Sequence, residues 1–124
     1  MKQHNPIRMA GISLSLLISA IATWLMLQPG QPDALPGLPH IDKLAHFITF
    51  FVITLPAVAV HPARWFWIVL AASALGGAIE IIQPWFGRSR ELADFIADVA
   101  GALLAVPVGR WLSERWQLHK RHRA

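Results

Sequence analysis

The polar residues of this chain sit at the ends of four long apolar runs, and that arrangement predicts four membrane-crossing helices. The runs cover about 7–27, 41–60, 64–86 and 91–112. Each is long enough to cross about 30 Å of hydrocarbon at about 1.5 Å per residue. None shows the one-sided stripe of a helix resting on a water-soluble core. Between the first two, Pro29, Pro32, Pro36 and Pro39 forbid a continuous helix. His61-Pro62 closes the second run, and Gly87-Arg88-Ser89-Arg90 separates the third from the fourth. Trp65 and Trp67 flank the third run on one side and Trp85 on the other, as interfacial belts do. Small residues recur every fourth position: Gly11, Ser15, Ser19 and Thr23 in the first run, Ala93, Ala97, Gly101 and Ala105 in the fourth. The third carries Ala72, Gly76 and Gly77. Such stripes let helix backbones approach closely in lipid. The expected fold is all-α: an integral membrane four-helix bundle over residues 1–112, followed by a basic tail over 113–124.

Composition agrees. Of the 124 residues, 55% are apolar and 15% charged, against roughly a quarter charged in soluble domains. A chain this short cannot wrap all four runs inside a water-soluble core. There is no cysteine, which excludes disulfides, thiolate metal sites and thiol catalysis. Tyrosine is also missing, which removes phenol chemistry. Lys2 and Arg8 before an apolar run resemble a signal peptide, but the run is too long for one and three more follow, so the first helix is expected to be retained. The net charge of +4 is a topology signal and not a nucleic-acid one, because the basic residues gather on one side. That side holds Lys2, Arg8, Arg64, Arg110, Arg115, Lys120, Arg121 and Arg123, which is 8 of the 11. The opposite side holds Lys43, Arg88 and Arg90. The richer side is expected to be cytoplasmic, giving an N-in/C-in bundle.

Against this background the ionisable residues inside the runs stand out, since each costs about 2.5–3.5 kcal/mol at a span centre. Asp42, His46 and Thr49 share one helix face, as do Glu80, Gln83 and Gly76, and as do Glu91, Asp94 and Asp98. The start of the second run, the end of the third and the start of the fourth lie on the outer side. All of these residues, with Lys43, Arg88 and Arg90, therefore fall at one depth. Each has a structural reading as well. Asp42 and Lys43 suit a helix start, His46 suits a satisfied packing histidine, and Asp94 and Asp98 can cap the fourth helix; against the packing reading, Asp42 four residues earlier can orient the His46 ring. Glu80 is harder to explain that way, because only apolar residues precede it in its run.

The series Asp42-Lys43-x-x-His46-Phe47, Glu80-x-x-Gln83, Gly87-Arg88, Asp94 and Asp98-x-x-Gly101 resembles the VanZ-like family. The resemblance covers about residues 42–109. Asp98 departs from it, since many relatives carry asparagine there, and the departure makes the site more acidic. The resemblance implies a bacterial plasma (inner) membrane protein of the cell envelope, from a family whose founding member is associated with teicoplanin resistance. It marks Asp42, Lys43, His46, Glu80, Gln83, Arg88 and Asp94 as site residues.

Four functions are open to such a site. The leading one binds a lipid headgroup or lipid-linked envelope precursor. Lys43, Arg88 and Arg90 would hold phosphate, and Glu80, Gln83 and Asp94 would orient them, with Asp98 a further ligand-binding candidate. The second is catalysis on a lipid-linked phosphate or glycan, with His46 as base or nucleophile and Glu80 as acid. Ion transport is disfavoured because the polar groups stop about halfway across. The last is a scaffold whose ion pairs fix helix order. No cofactor is expected. Nor is a metal, since His46 and His40 are the only imidazoles at that end.

Overall fold

The computed structural model describes residues 5–29 and 40–123, and among these the chain is four helices with no strand. They are α1 (Pro6–Met26), α2 (Ile41–Val60), α3 (Trp65–Ile82) and α4 (Leu92–Arg123). All four are long and apolar enough to cross a membrane, so the four-run reading holds. Lys2, Pro32, Pro36 and Pro39 lie outside the described residues.

Local chemistry sets the ends. Asn5 caps α1, its Oδ1 accepting the Ile7 N–H at 3.1 Å, with Pro6 as the first helical residue. A 3-10 turn over Pro62–Arg64 leads into α3, and another over Gln83–Phe86 follows it. Pro84 has no N–H to continue the α-ladder, and the second turn ends at Gly87 in the left-handed region, φ 76°. The fourth helix runs past the expected boundary near Leu112. No glycine or proline follows to stop it, so residues 113–123 of the basic tail continue the helix. At about 1.5 Å per residue its 32 residues exceed the hydrocarbon thickness, and its basic end projects beyond it.

The central pair is α2 and α4. A Cβ on Gly101 would run into the Phe47 carbonyl oxygen, and one on Gly109 would meet the Val58 side chain at 2.8 Å. The two helices thus meet backbone to backbone, as the small-residue stripe anticipated. The stripe's other members behave differently, for Ala93 is exposed and Ala97 half-buried, while Asp94 and Asp98 occupy the buried face at that end. Phe50, Val69, Ala72, Ile79 and Ala102 form the apolar core between α2, α3 and α4. On the other flank α1 packs on α2. The Ala57 N–H, next to the helix-interrupting Pro56, donates to Ser15 Oγ at 3.1 Å. A hydroxyl from one helix thereby satisfies backbone that a proline disturbs in another, a repair that lipid requires. Leu16, Leu17, Trp24, Trp67 and Leu92 point away from the bundle and are exposed. Apolar surface on every helix is what a lipid-facing exterior needs.

Candidate polar site at one end of the bundle

The end of α1, the start of α2, the end of α3 and the start of α4 meet at one end of the bundle, and direct contacts tie them together. Lys43 on α2 reaches Glu91 Oε2 at 2.6 Å, Asp42 Oδ2 at 3.3 Å and Asp94 Oδ1 at 3.4 Å. The last is an ion pair outside hydrogen-bond geometry. One ammonium thus serves three carboxylates, one on α2, one on α4 and one on the residue just before α4.

Deeper by about one turn, His46 pairs with α4. Its Nδ1 lies 2.8 Å from Asp98 Oδ1, and its Nε2 lies 3.8 Å from Asp94 Oδ2. The expected Asp42–His46 orientation is therefore corrected. Asp42 bonds Lys43 beside it, and Asp98, on the facing helix, holds the imidazole. His46 is 4% exposed and Asp98 0%. Asp98 has room because residue 76 is glycine, since a Cβ there would stand 2.7 Å from its Oδ2.

Glu80 completes the deep group from α3. Its Oε2 accepts the Glu91 N–H at 3.1 Å, so an α3 carboxylate caps the approach to α4, whose positive dipole end it faces. Its Oε1 has no hydrogen-bond partner among the described residues, and the same holds for Asp98 Oδ2 and Gln83 Oε1. One ligand atom each from His46, Glu80 and Asp98 falls within 4.8 Å of the others, and one each from Asp42, Glu91 and Asp94 does likewise.

The arginines behave otherwise than expected. Arg88 Nη1 donates to the Met26 carbonyl at 3.2 Å, beside Gln83 Nε2 at 3.4 Å on the same oxygen. Arg90 donates to the carbonyls of Glu80 and Ile81 at 3.3 and 3.4 Å. Backbone carbonyls at helix ends orient both guanidiniums, and the acids do not. Each arginine still has N–H donors beyond these bonds, because a guanidinium carries five. Asp42, Lys43, His46, Glu80, Asp94 and Asp98 come together as one network, while Gln83 and Arg88 meet beside it on the Met26 carbonyl. Glu91 belongs to it as well. Its spacing places it on the Asp94 face, and only its contact with Lys43 brings it into the site. His40 is exposed at the start of α2 and takes no part in these bonds.

The opposite end is of other chemistry. Arg8, His61, Arg64 and Lys120 line a cavity of about 580 Å³ there, so the chain's basic residues converge as its acids do. Burial, then Arg8 and Arg64, hold the His61 imidazole below its ordinary pKa.

A family model described as VanZ/LLP1 matches residues 3–113. Neither a curated protein nor a solved structure matches the chain. The matched span takes in every residue of the polar network.

Proposed function

The chain belongs to the VanZ/LLP1 family, and from that premise we propose that it is a bacterial inner-membrane protein whose polar end binds the phosphate-bearing headgroup of a membrane lipid or lipid-linked envelope precursor. In this reading the polar end faces outward and both termini are cytoplasmic, consistent with the basic residues at the other end. The observation that carries it is the convergence of α2, α3 and α4 side chains into one largely buried network at one end of the bundle, with Arg88 and Arg90 at its edge. An intramembrane network of this kind costs several kcal/mol to assemble and points to function. Arginine suits a phosphate at the rim, where its planar fork of donors is held by helix-end carbonyls.

Contribution to glycopeptide tolerance follows as the physiological expectation. The test is teicoplanin susceptibility of a host without an outer-membrane barrier, expressing wild type, Arg88→Ala, Glu80→Gln or His46→Ala, with membrane levels measured. Wild type should protect, and the variants should return the host to the vector level while accumulating normally. Full protection by Arg88→Ala and Glu80→Gln alike would remove the headgroup site.

A second reading has its own observation. The buried His46–Asp98 pair has the geometry of an oriented general base, with Glu80 beside it as a proton donor. It makes the protein an enzyme acting on the same class of ligand. Turnover of a polyprenyl phosphate or lipid-linked glycan by wild type and not by His46→Ala would select it over simple binding.

A further inference from the structure

We propose that His46, Glu80 and Asp98 form a binding site for one divalent ion of the zinc or manganese class. This deepens the headgroup reading and rests on the same end of the bundle.

The starting point is charge. Asp42, Glu80, Glu91, Asp94 and Asp98 gather five carboxylates around one lysine and one histidine. A phosphate approaching this end meets an acidic interior, so something must offset the excess. The two carboxylate groups differ in how they solve the problem. Asp42, Glu91 and Asp94 surround the Lys43 ammonium, which stands where an ion would stand. His46, Glu80 and Asp98 have no lysine or arginine among their described ion pairs, yet their ligand atoms lie within 4.8 Å of one another.

Burial and open valence point the same way. All three residues are more than nine-tenths buried, and Glu80 Oε1 and Asp98 Oδ2 are buried without a hydrogen-bond partner. An unsatisfied buried carboxylate oxygen is costly. A cation between the three converts that cost into coordination. Gln83 Oε1, also buried and unpartnered, supplies a neutral oxygen nearby in sequence and on the same face as Glu80.

The donor set selects the ion. One imidazole with two carboxylates departs from the all-oxygen shells of calcium and magnesium and contains no thiolate; the imidazole suits zinc, and the two carboxylates suit manganese. Three protein ligands leave a position open. A phosphate oxygen at that position would be held by the ion from inside and by Arg88 from the rim. Counting imidazoles alone hid this site from the sequence, because two of its three donors are carboxylates on other helices.

The test uses the full chain, purified without a polyhistidine tag in detergent or nanodiscs. Wild type is loaded separately with Zn2+ and Mn2+, and bound metal is counted by mass spectrometry after dialysis. One ion per chain is expected, and its affinity should fall at least ~100-fold in Glu80→Gln and Asp98→Asn, beyond the ~10–100-fold typical of losing an outer partner. Ser113→Ala, at the opposite end, should bind as wild type does. Absence of both ions from wild type, or unchanged binding in both variants, overturns the site. Should the variants fail to fold, X-ray absorption of the loaded wild type decides, because a first shell without an imidazole nitrogen also overturns it. Binding of a polyprenyl phosphate is measured in parallel, with and without chelator. Phosphate binding by a protein that takes up no metal sinks the ion site and leaves the headgroup reading intact. Metal binding as expected, with no phosphate binding under any condition, does the reverse.

Discussion

Two carboxylate groups lie about one helical turn apart at the same end of this bundle, and they differ in whether the chain supplies its own cation. The outer group, Asp42, Glu91 and Asp94, closes on Lys43. The inner group joins Glu80 and Asp98 to an imidazole alone; each group leaves two carboxylate oxygens without a hydrogen-bond partner among the described residues, Asp42 Oδ1 and Asp94 Oδ1 in the outer one, Glu80 Oε1 and Asp98 Oδ2 in the inner one. In lipid, charge left uncompensated is costly enough that it is paired, protonated or bound to an ion. The outer group holds its own cation and reads as the clasp joining α2 to α4. The inner group has no lysine or arginine among its described ion pairs, and it is there that the proposed ion would act.

The sharpest way to break the comparison is to make the outer group like the inner one. Lys43→Met keeps the aliphatic stem and removes the ammonium, which leaves three carboxylates facing each other. Breaking a buried pair costs about 3–5 kcal/mol. Lys43 is 27% exposed and Glu91 39%, so the lower end of that range is expected. The melting temperature in detergent should fall accordingly, and millimolar Mn2+ should restore much of it by replacing the lost charge. A variant as stable as wild type would mean that the outer ion pairs hold nothing together.

A smaller perturbation reaches the inner group alone. Gly76→Ala places a methyl 2.7 Å from Asp98 Oδ2. The carboxylate must move, at about 1–3 kcal/mol for overpacking a filled site, while Lys43 and its partners stay in place. The double variant Gly76→Ala/Asp98→Ala should lose much less than the two single costs added, because the clash disappears with the carboxylate. Additive costs measured by thermal unfolding would show that Gly76 serves helix packing alone.

Much of this arrangement was legible in the chain, and the part that was not has a physical reason. Run lengths and proline positions gave four helices and their order, because hydrophobic thickness leaves few alternatives. Antiparallel succession then put Asp42, Lys43, His46, Glu80, Gln83, Arg88, Asp94 and Asp98 at one depth. Pairing was not legible. Spacing along one helix suggested that Asp42 orients His46, yet Asp98 does so from α4, because Gly101 brings the two backbones together and Gly76 clears space. Periodicity reports which residues share a face, and it is silent on which faces meet and at what rotation. The same gap misassigned Arg88 and Arg90. Helix-end carbonyls compete for guanidinium donors as well as carboxylates do, and here they win. The end of α4 was hidden for another reason: charge stops a membrane span, but it does not stop a helix.

The smallest expected effect separates charge from hydrogen bonding at Glu80. Its Oε2 accepts the Glu91 N–H just before α4, while Oε1 is the atom left open. Glu80→Ala removes both functions and should cost about 1 kcal/mol, as the loss of a helix-end acceptor does. Glu80→Gln keeps an oxygen for that N–H and removes only the charge. In chelator, where no ion rewards the carboxylate, the glutamine variant should be at least as stable as wild type, because a buried negative charge has gone. With Zn2+ or Mn2+ present, only wild type should gain stability. If glutamine costs as much as alanine in chelator, the charge at position 80 is already compensated within the chain. The inner group would then carry its own compensating charge as the outer one does, and the distinction between clasp and site would collapse.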